Sequence, residues 1–331
     1  MSEKLNLDEA VEITKNYQMA FYLLAAQELG ISYRMLIRAL LIEFSKGNKS
    51  WRIHKSLTPI NDSVAMTLAS YKNTCNKFLG DNGIPVPKQQ NVGSIEDINT
   101  FMEKEGIQNI VVKPVKGFGG SGVTILPDTP KETENAFKYA YDKYKGKSEN
   151  KVLVEEFIKG ENYRLLVLGD QVIAASRRMP PLVEGDGKSS IRVLIDENNS
   201  ARKAQGLSPT PIDVETEKAL ADQGFSLEDI LSKEQKVRIR FNANLSTGGT
   251  THECLAEVHE DYKNLAIKAS KVLNLKLAGV DLITPDITDP SKKHALNEIN
   301  HDPGLRIHYL PTEGEPSEVA IPIQQYILDN L

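Results

Sequence analysis

The chain has 331 residues, with Lys plus Arg at 40 against Asp plus Glu at 45, a formal net charge of −5, and 40% hydrophobic and 26% charged residues. That length buries one large core or two, and the composition excludes a disordered chain, while the acidic balance argues against a nucleic-acid partner, whose protein surface is basic. Cys75 and Cys254 lack CxxC spacing, so neither a disulfide framework nor a cysteine zinc site is expected and a cytoplasmic setting fits; no apolar run approaches the ~20 residues of a membrane span, and the polar start MSEKLNLDEA does not read as a signal peptide.

Apolar residues at helical spacing predict a helix from Asp8 to Leu29, stopped at Gly30, and a second from Tyr33 to Phe44. WRIHKSLTPIND reads as strand and turn, and Ser63 to Leu79 as a helix closed by Gly83 and the rigid IPVP. Ser94 with Asp97 forms a capping box that opens a helix to about Glu105. Strands are then expected over 109–115, 123–126 and 152–158, with a helix from Asn135 to Tyr144. LLVL, Gly169-Asp170 and QVIAA read as a tight hairpin, since glycine supplies the positive φ of such turns. A helix follows over Ile191 to Asn199; the polar stretch to Lys236 is the least structured in pattern. KVRIRFN is strand, Tyr262 to Leu273 helix, AGVDLIT and HALNEIN two strands about the turn-rich PDITDPSKK, and Ser317 to Asp329 a last helix. Hairpins mixed with crossover units predict an α+β or mixed α/β fold, with a helical region over 1–60 and a domain over 61–331. No strand feeds a GxGxxG helix, so a dinucleotide-binding fold is not expected.

Four constellations carry chemistry. VVKPVKGFGGSGV (111–123) puts Gly117, Gly119, Gly120 and Gly122 between two strands, where bare backbone approaches an anion, and Lys113 adds a positive charge suited to phosphate. No GK[ST] follows, so this is not a Walker loop. In DLITPDITDPSKKHALNEINHDPG (281–304), if the two strands pair about a turn centred near Thr288 to Asp289, Asp281 is expected to face Glu298, with Asn300 two residues on and hence on the same face. Two carboxylates and a carboxamide suit Mg²⁺ completed by nucleotide phosphates. Glu155, Glu156 and Phe157 give a hydrophobic strand an acidic end able to meet an adenine amino group or a ribose hydroxyl. Arg164, Arg177, Arg178 and Arg306, with the string NANLSTGGT (242–250), offer guanidinium forks, hydroxyls and N–H groups to carboxylate or phosphate.

The order Lys72, VVKPVKGFGGSGV, EEFIKG, then Asp281, Glu298 and Asn300 resembles the ATP-grasp family of carboxylate-amine ligases. The strings RLLVLGDQVIAASRRMP, EGDGKSSIRVLIDENN, NANLSTGGT and NEINHDPGLRIHYLPTEGEPSEVA bring it closest to the ATP-grasp module of cyanophycin synthetase and bifunctional glutathione synthetase, over about Trp51 to the C-terminus. The resemblance implies an ATP-grasp domain over 61–331, with a lid subdomain at about 108–160 and a C-terminal metal and substrate subdomain at about 161–331, and it implies ATP and Mg²⁺, as two ions, with Mn²⁺ as an alternative. It implies that Lys72 and Lys113 contact the phosphates. Gly117, Gly119, Gly120, Ser121 and Gly122 form the lid loop, Glu155 with Glu156 and Phe157 meets the base, and Asp281, Glu298 and Asn300 hold the metal. Arg178 and Arg306 are placed to steady phosphate or substrate carboxylate. Asn162 stands where relatives tend to carry an acid for the ribose, and His301 and Asp302 replace small residues near the metal.

The chemistry implied is phosphorylation of a substrate carboxylate by ATP and displacement of the phosphate by an amine, with an amino acid or short peptide as substrate. Missing modules imply neither a complete cyanophycin synthetase nor a complete glutathione synthetase. Rival readings are a phosphotransferase, an ATP-dependent carboxylating subunit, and a non-catalytic nucleotide-binding module docking through the helices of residues 8–46. Those helices are equally open to a role as a cap or a homodimer interface, and His308 to a substrate contact.

Overall fold

The computed structural model describes residues 4–116, 122–127, 129–144 and 151–331. The first elements are α1 (Leu7–Thr14), α2 (Tyr17–Glu28), β1 (Ser32–Ile37), β2 (Leu41–Lys46), β3 (Lys49–His54), α3 (Ser63–Ser70) and α4 (Lys72–Asp81). The middle of the chain supplies β4 (Gln89–Val92), α5 (Ile95–Glu105), β5 (Ile110–Pro114), β6 (Thr124–Ile125), α6 (Pro130–Lys143), β7 (Val152–Glu156), β8 (Glu161–Leu168) and β9 (Gln171–Met179). Then come β10 (Leu182–Glu184), α7 (Ile191–Ala204), α8 (Val214–Ala221), β11 (Lys236–Arg238), β12 (Thr250–Glu253), α9 (Glu260–Val272), β13 (Leu277–Thr284), β14 (Ala295–Asn300), α10 (Arg306–Tyr309) and α11 (Ala320–Asn330). These group into two compact units that alternate along the chain: Met1–Val86, Tyr163–Arg177 and His252–Leu331 form one, Pro87–Asn162 and Arg178–Thr251 the other.

The first unit is built on a five-stranded sheet of order β12-β9-β8-β13-β14. Its central strands bury both faces, and the period-two rule sorts their side chains into two cores. Leu165 and Val167 face Tyr262, Ala266 and Ala269 of α9, with Ala69 and Leu79 from α3 and α4. Leu166 and Leu168 face Phe21 and Tyr22 of α2 and Ile323 and Ile327 of α11. Arg164 and Asp281 stand in register with this second set. The sheet β1-β2-β3 closes that core with Ile42, Phe44, Trp51 and Ile53. Trp51 donates its indole N–H to Gln324 at 2.9 Å, which satisfies a donor that burial would otherwise orphan.

The second unit holds the antiparallel sheet β4-β7-β5-β6, covered by Ile98 and Phe101 of α5 and Ala136 and Ala140 of α6. The capping box expected at Ser94 is present, and Gly106 ends α5 with φ of 65°. A second box, Thr129 with Glu132, starts α6 five residues before the expected helix. A smaller core gathers β10 and β11 with α7 and α8.

Three expectations are corrected. The helix expected from Asp8 to Leu29 is two, α1 and α2, parted at Lys15, whose φ of 54° is left-handed. Tyr33 to Phe44 is the hairpin β1–β2, turning through Ala39 at φ of 60°. Its apolar residues satisfy both a helical and a strand period, and the strand form prevails because Phe44 then stacks on Trp51 with ring centroids 6.0 Å apart. The helix expected from Ser63 to Leu79 breaks at Tyr71, whose ψ of 81° is not helical, into α3 and α4.

Candidate functional site

In the first unit, β13 and β14 pair antiparallel with Asp281 opposite Glu298 and Gly279 opposite Asn300. Residues directly opposite in such a ladder share a face, and so do residues two apart. Asp281, Glu298 and Asn300 are thereby brought onto one face, with a bulge just beyond that leaves Asn297 as the extra residue of β14. Arg164, on the neighbouring strand β8, donates to both Asp281 oxygens at 2.7 and 2.8 Å. Burial works against the Arg164 charge, but the Asp281 carboxylate, seconded by Glu298 and Asp302, outweighs it and raises the arginine pKa. The same negative field reaches Cys75 on α4, whose thiol is pushed up to about 12, first by burial and then by Glu298. Lys72 opens α4 and sets its ammonium 3.1 Å from Glu298.

These residues fit a hard divalent cation. Among the described residues no three His, Cys, Asp or Glu side chains gather closely enough to hold a metal unaided. The ion would therefore take two carboxylates, the Asn300 carboxamide and, for its remaining positions, oxygens of a nucleotide, the pattern favoured by Mg²⁺. The buried Asn300 amide nitrogen has no hydrogen-bond partner. A half turn about its last torsion exchanges that nitrogen for the carboxamide oxygen, a ligand suited to a hard cation.

In the second unit, Lys113 of β5 donates to Glu155 of the adjacent β7 at 2.7 Å, with side-chain exposures of 20% and 8%. Glu155, expected to meet the adenine, has its carboxylate engaged by this lysine. The N–H groups of Glu156 and Phe157 donate to the carbonyls of Lys88 and Asn109, at 2.8 and 2.9 Å, so neither is open to a base in this arrangement. Asn162 and Arg178 are half-buried, on β8 and β9. Gly117, Gly119, Gly120 and Ser121 lie outside the described residues. Gly122 has φ of 82°, and a Cβ there would meet the Pro114 ring at 3.0 Å, so the position requires glycine. In the string NANLSTGGT, the Arg202 guanidinium donates to the Leu245 carbonyl at 2.5 Å, and Gly248 has φ of 108° against Thr210. The loop is thus held by its own unit.

Back in the first unit, Arg306 opens α10. His308, fully buried, sets Nδ1 2.8 Å from Glu253, whose other oxygen accepts from the Ala175 N–H. Sequence reasoning placed Arg164 among the arginines without pairing it to Asp281 and missed Glu253 altogether. No local pattern marks either, because their partners lie 117 and 55 residues away.

An α+β chain with a lysine–glutamate pair on one antiparallel sheet, and an Asp, Glu, Asn face on another, has the parts of an ATP-grasp protein. The family model described as phosphoribosylglycinamide synthetase, ATP-grasp (A) domain, matches residues 70–190, and that of the RimK-like ATP-grasp domain matches residues 230–314. The chain belongs to the ATP-grasp family. It is 32% identical over 309 residues to a cyanophycin synthetase of Crocosphaera subtropica, covering 91% of this chain and 35% of that protein. Identity is 29% over 309 residues to the glutathione biosynthesis bifunctional protein GshAB of Clostridium perfringens, covering 88% of this chain and 38% of that one. The crystal structure of a bifunctional glutathione synthetase from Pasteurella multocida matches with a TM-score of 0.69 and 25% identity, covering 95% of this chain and 44% of that one. The chain thus spans well under half the length of these relatives. Among the described residues no helix is long and apolar enough to cross a membrane.

Proposed function

We propose that the chain is an ATP-dependent ligase that joins the carboxylate of an amino acid or short peptide to an amine. The observation that carries this reading is the β13–β14 register, which sets Asp281, Glu298 and Asn300 on one face. The synthetase names of the cyanophycin relative and of the Pasteurella multocida structure support it. Two unbridged, buried cysteines favour a cytoplasmic setting.

Asp281, Glu298 and Asn300 would hold Mg²⁺, which supplies charge neutralisation on the phosphates and withdraws electrons from the γ-phosphorus. Lys72 carries a charge suited to phosphate oxygens, and within the second unit Lys113 does the same. A substrate carboxylate oxygen attacks the γ-phosphorus, the bond to the bridging oxygen breaks, and ADP leaves. The neutral amine nitrogen then attacks the acyl carbon of the resulting acyl phosphate and expels inorganic phosphate, which carries away the proton that the amine loses. Arg178 and Arg306 bind and orient carboxylate or phosphoryl oxygens, so that the protein acts mainly by positioning and charge.

The test is ADP release by Glu298→Ala across a screen of amino acids and dipeptides, with mass spectrometry of products. The variant is expected to lose roughly a hundredfold or more of the rate. Near wild-type ADP release would sink the assignment, and a phosphorylated end product without amide would identify a phosphotransferase instead.

A further inference from the structure

The nucleotide reading leaves the opening helices without a task, yet α2 grips the segment that carries Arg306. Gln18 accepts from the Leu305 N–H at 2.8 Å and donates to the Pro303 carbonyl at 3.4 Å. Leu305 is fully buried, so without Gln18 its N–H is an orphan donor. Beside it, the Tyr17 ring lies 3.9 Å from the Arg306 guanidinium carbon. One turn further along α2, Phe21 stacks on Tyr309 with centroids 4.0 Å apart and planes 10° from parallel. Three side chains of one helix thus hold residues 303–309 at three points: a backbone fork, a ring beneath a cation and a ring on a ring. Packing alone calls for Phe21, which sits in the core, and for Tyr309, which packs against it. It does not call for an aromatic face under a half-buried arginine, or for an amide that closes on two backbone groups immediately before it.

We propose that Tyr17 and Gln18 are positioning residues that pre-set the Arg306 guanidinium for the carboxylate of the acid substrate, which makes α2 part of the specificity apparatus. The inference rests on the reading of Arg306 as a substrate arginine. An arginine free to turn loses much rotamer freedom when it makes a two-point contact. Stacking on Tyr17 removes part of that cost before the substrate arrives, and Gln18 fixes the backbone from which the side chain springs.

The experiment measures ADP release against a screen of the twenty amino acids and their homodipeptides, then titrates the acid that drives it. Wild type, Tyr17→Phe, Tyr17→Leu, Gln18→Leu and Arg306→Lys are compared, with thermal midpoints alongside. Tyr17→Leu and Gln18→Leu are each expected to raise KM for the acid about five- to tenfold while KM for ATP holds. Tyr17→Phe, which keeps the ring face, should restore the wild-type KM within about twofold. Tyr17→Leu added to Arg306→Lys should cost little more than Arg306→Lys alone. If one of the two leucine variants does not fold, the other decides. An acid KM that rises in Arg306→Lys but not in Tyr17→Leu or Gln18→Leu overturns the inference alone, as does a Tyr17→Leu that shifts ATP and acid equally. An acid KM untouched in Arg306→Lys overturns the reading of Arg306 as a substrate arginine and the inference with it, while a wild type driven by no member of the screen overturns the ligase reading as well.

Discussion

Replacing Arg164 by Met probes the acid face most directly. The guanidinium meets Asp281 at 2.7 and 2.8 Å, and the two side chains are only 16% and 5% exposed. At a charge separation of about 4 Å and an effective dielectric of about 20, the attraction is about 4 kcal/mol. Methionine keeps the packing of the arginine stem but strands a carboxylate in dry surroundings. Removing one member of a buried pair costs about 3–5 kcal/mol, and the retained stem contacts favour the lower end. Asp281→Asn on the same background should return part of the loss, because no uncompensated charge is then left behind. Urea unfolding without divalent ions gives the figure. Adding Mg²⁺ tests the cation assignment by its sign. An Asp281 without its arginine gains more from a cation than one already paired, so Mg²⁺ should raise the midpoint of Arg164→Met more than that of wild type. A loss below about 1 kcal/mol would refute the buried-pair arithmetic. Midpoints indifferent to Mg²⁺ in both proteins, with ATP present, would refute the metal face.

Lys113→Met should strand the buried Glu155 in the same way, destabilise the second unit by about 3 kcal/mol and raise KM for ATP; hydrogen exchange along β5 and β7, with ATP titration, reads both, and unchanged protection would count against the pair. Asp186 accepts from the N–H groups of Lys188 and Ser189 and from the Ser189 hydroxyl, which hold its carboxyl down at about 2. Because its folded pKa is depressed, the stability it contributes is present above its ordinary range and is lost as pH falls from about 4 towards 2. Asp186→Asn should flatten that acid limb of the stability curve, and an unaltered limb would show that the loop does not depend on the charge.

What the sequence determined was whatever neighbours along the chain decide. The capping box at Ser94 and the strands on either side of PDITDPSKK are local. An antiparallel hairpin obeys arithmetic to within a residue, but the pairs nearer the turn would set Asp281 opposite Asn297, and it is the bulge at Asn297 that brings Glu298 opposite Asp281. The same locality failed at Tyr33 to Phe44, where apolar spacing suits helix and strand alike. There the choice falls to the core that Phe44, Trp51 and α2 share. The partners of the acid face and of Arg306 were settled by tertiary structure alone. Arg164 reaches Asp281 because β8 lies against β13, and Gln18 reaches Leu305 across 287 residues because α2 packs on the same sheet face as α10. Such pairs leave no periodic trace, since a charge or an amide finds its partner only after burial has brought distant segments together and made an unpaired group costly.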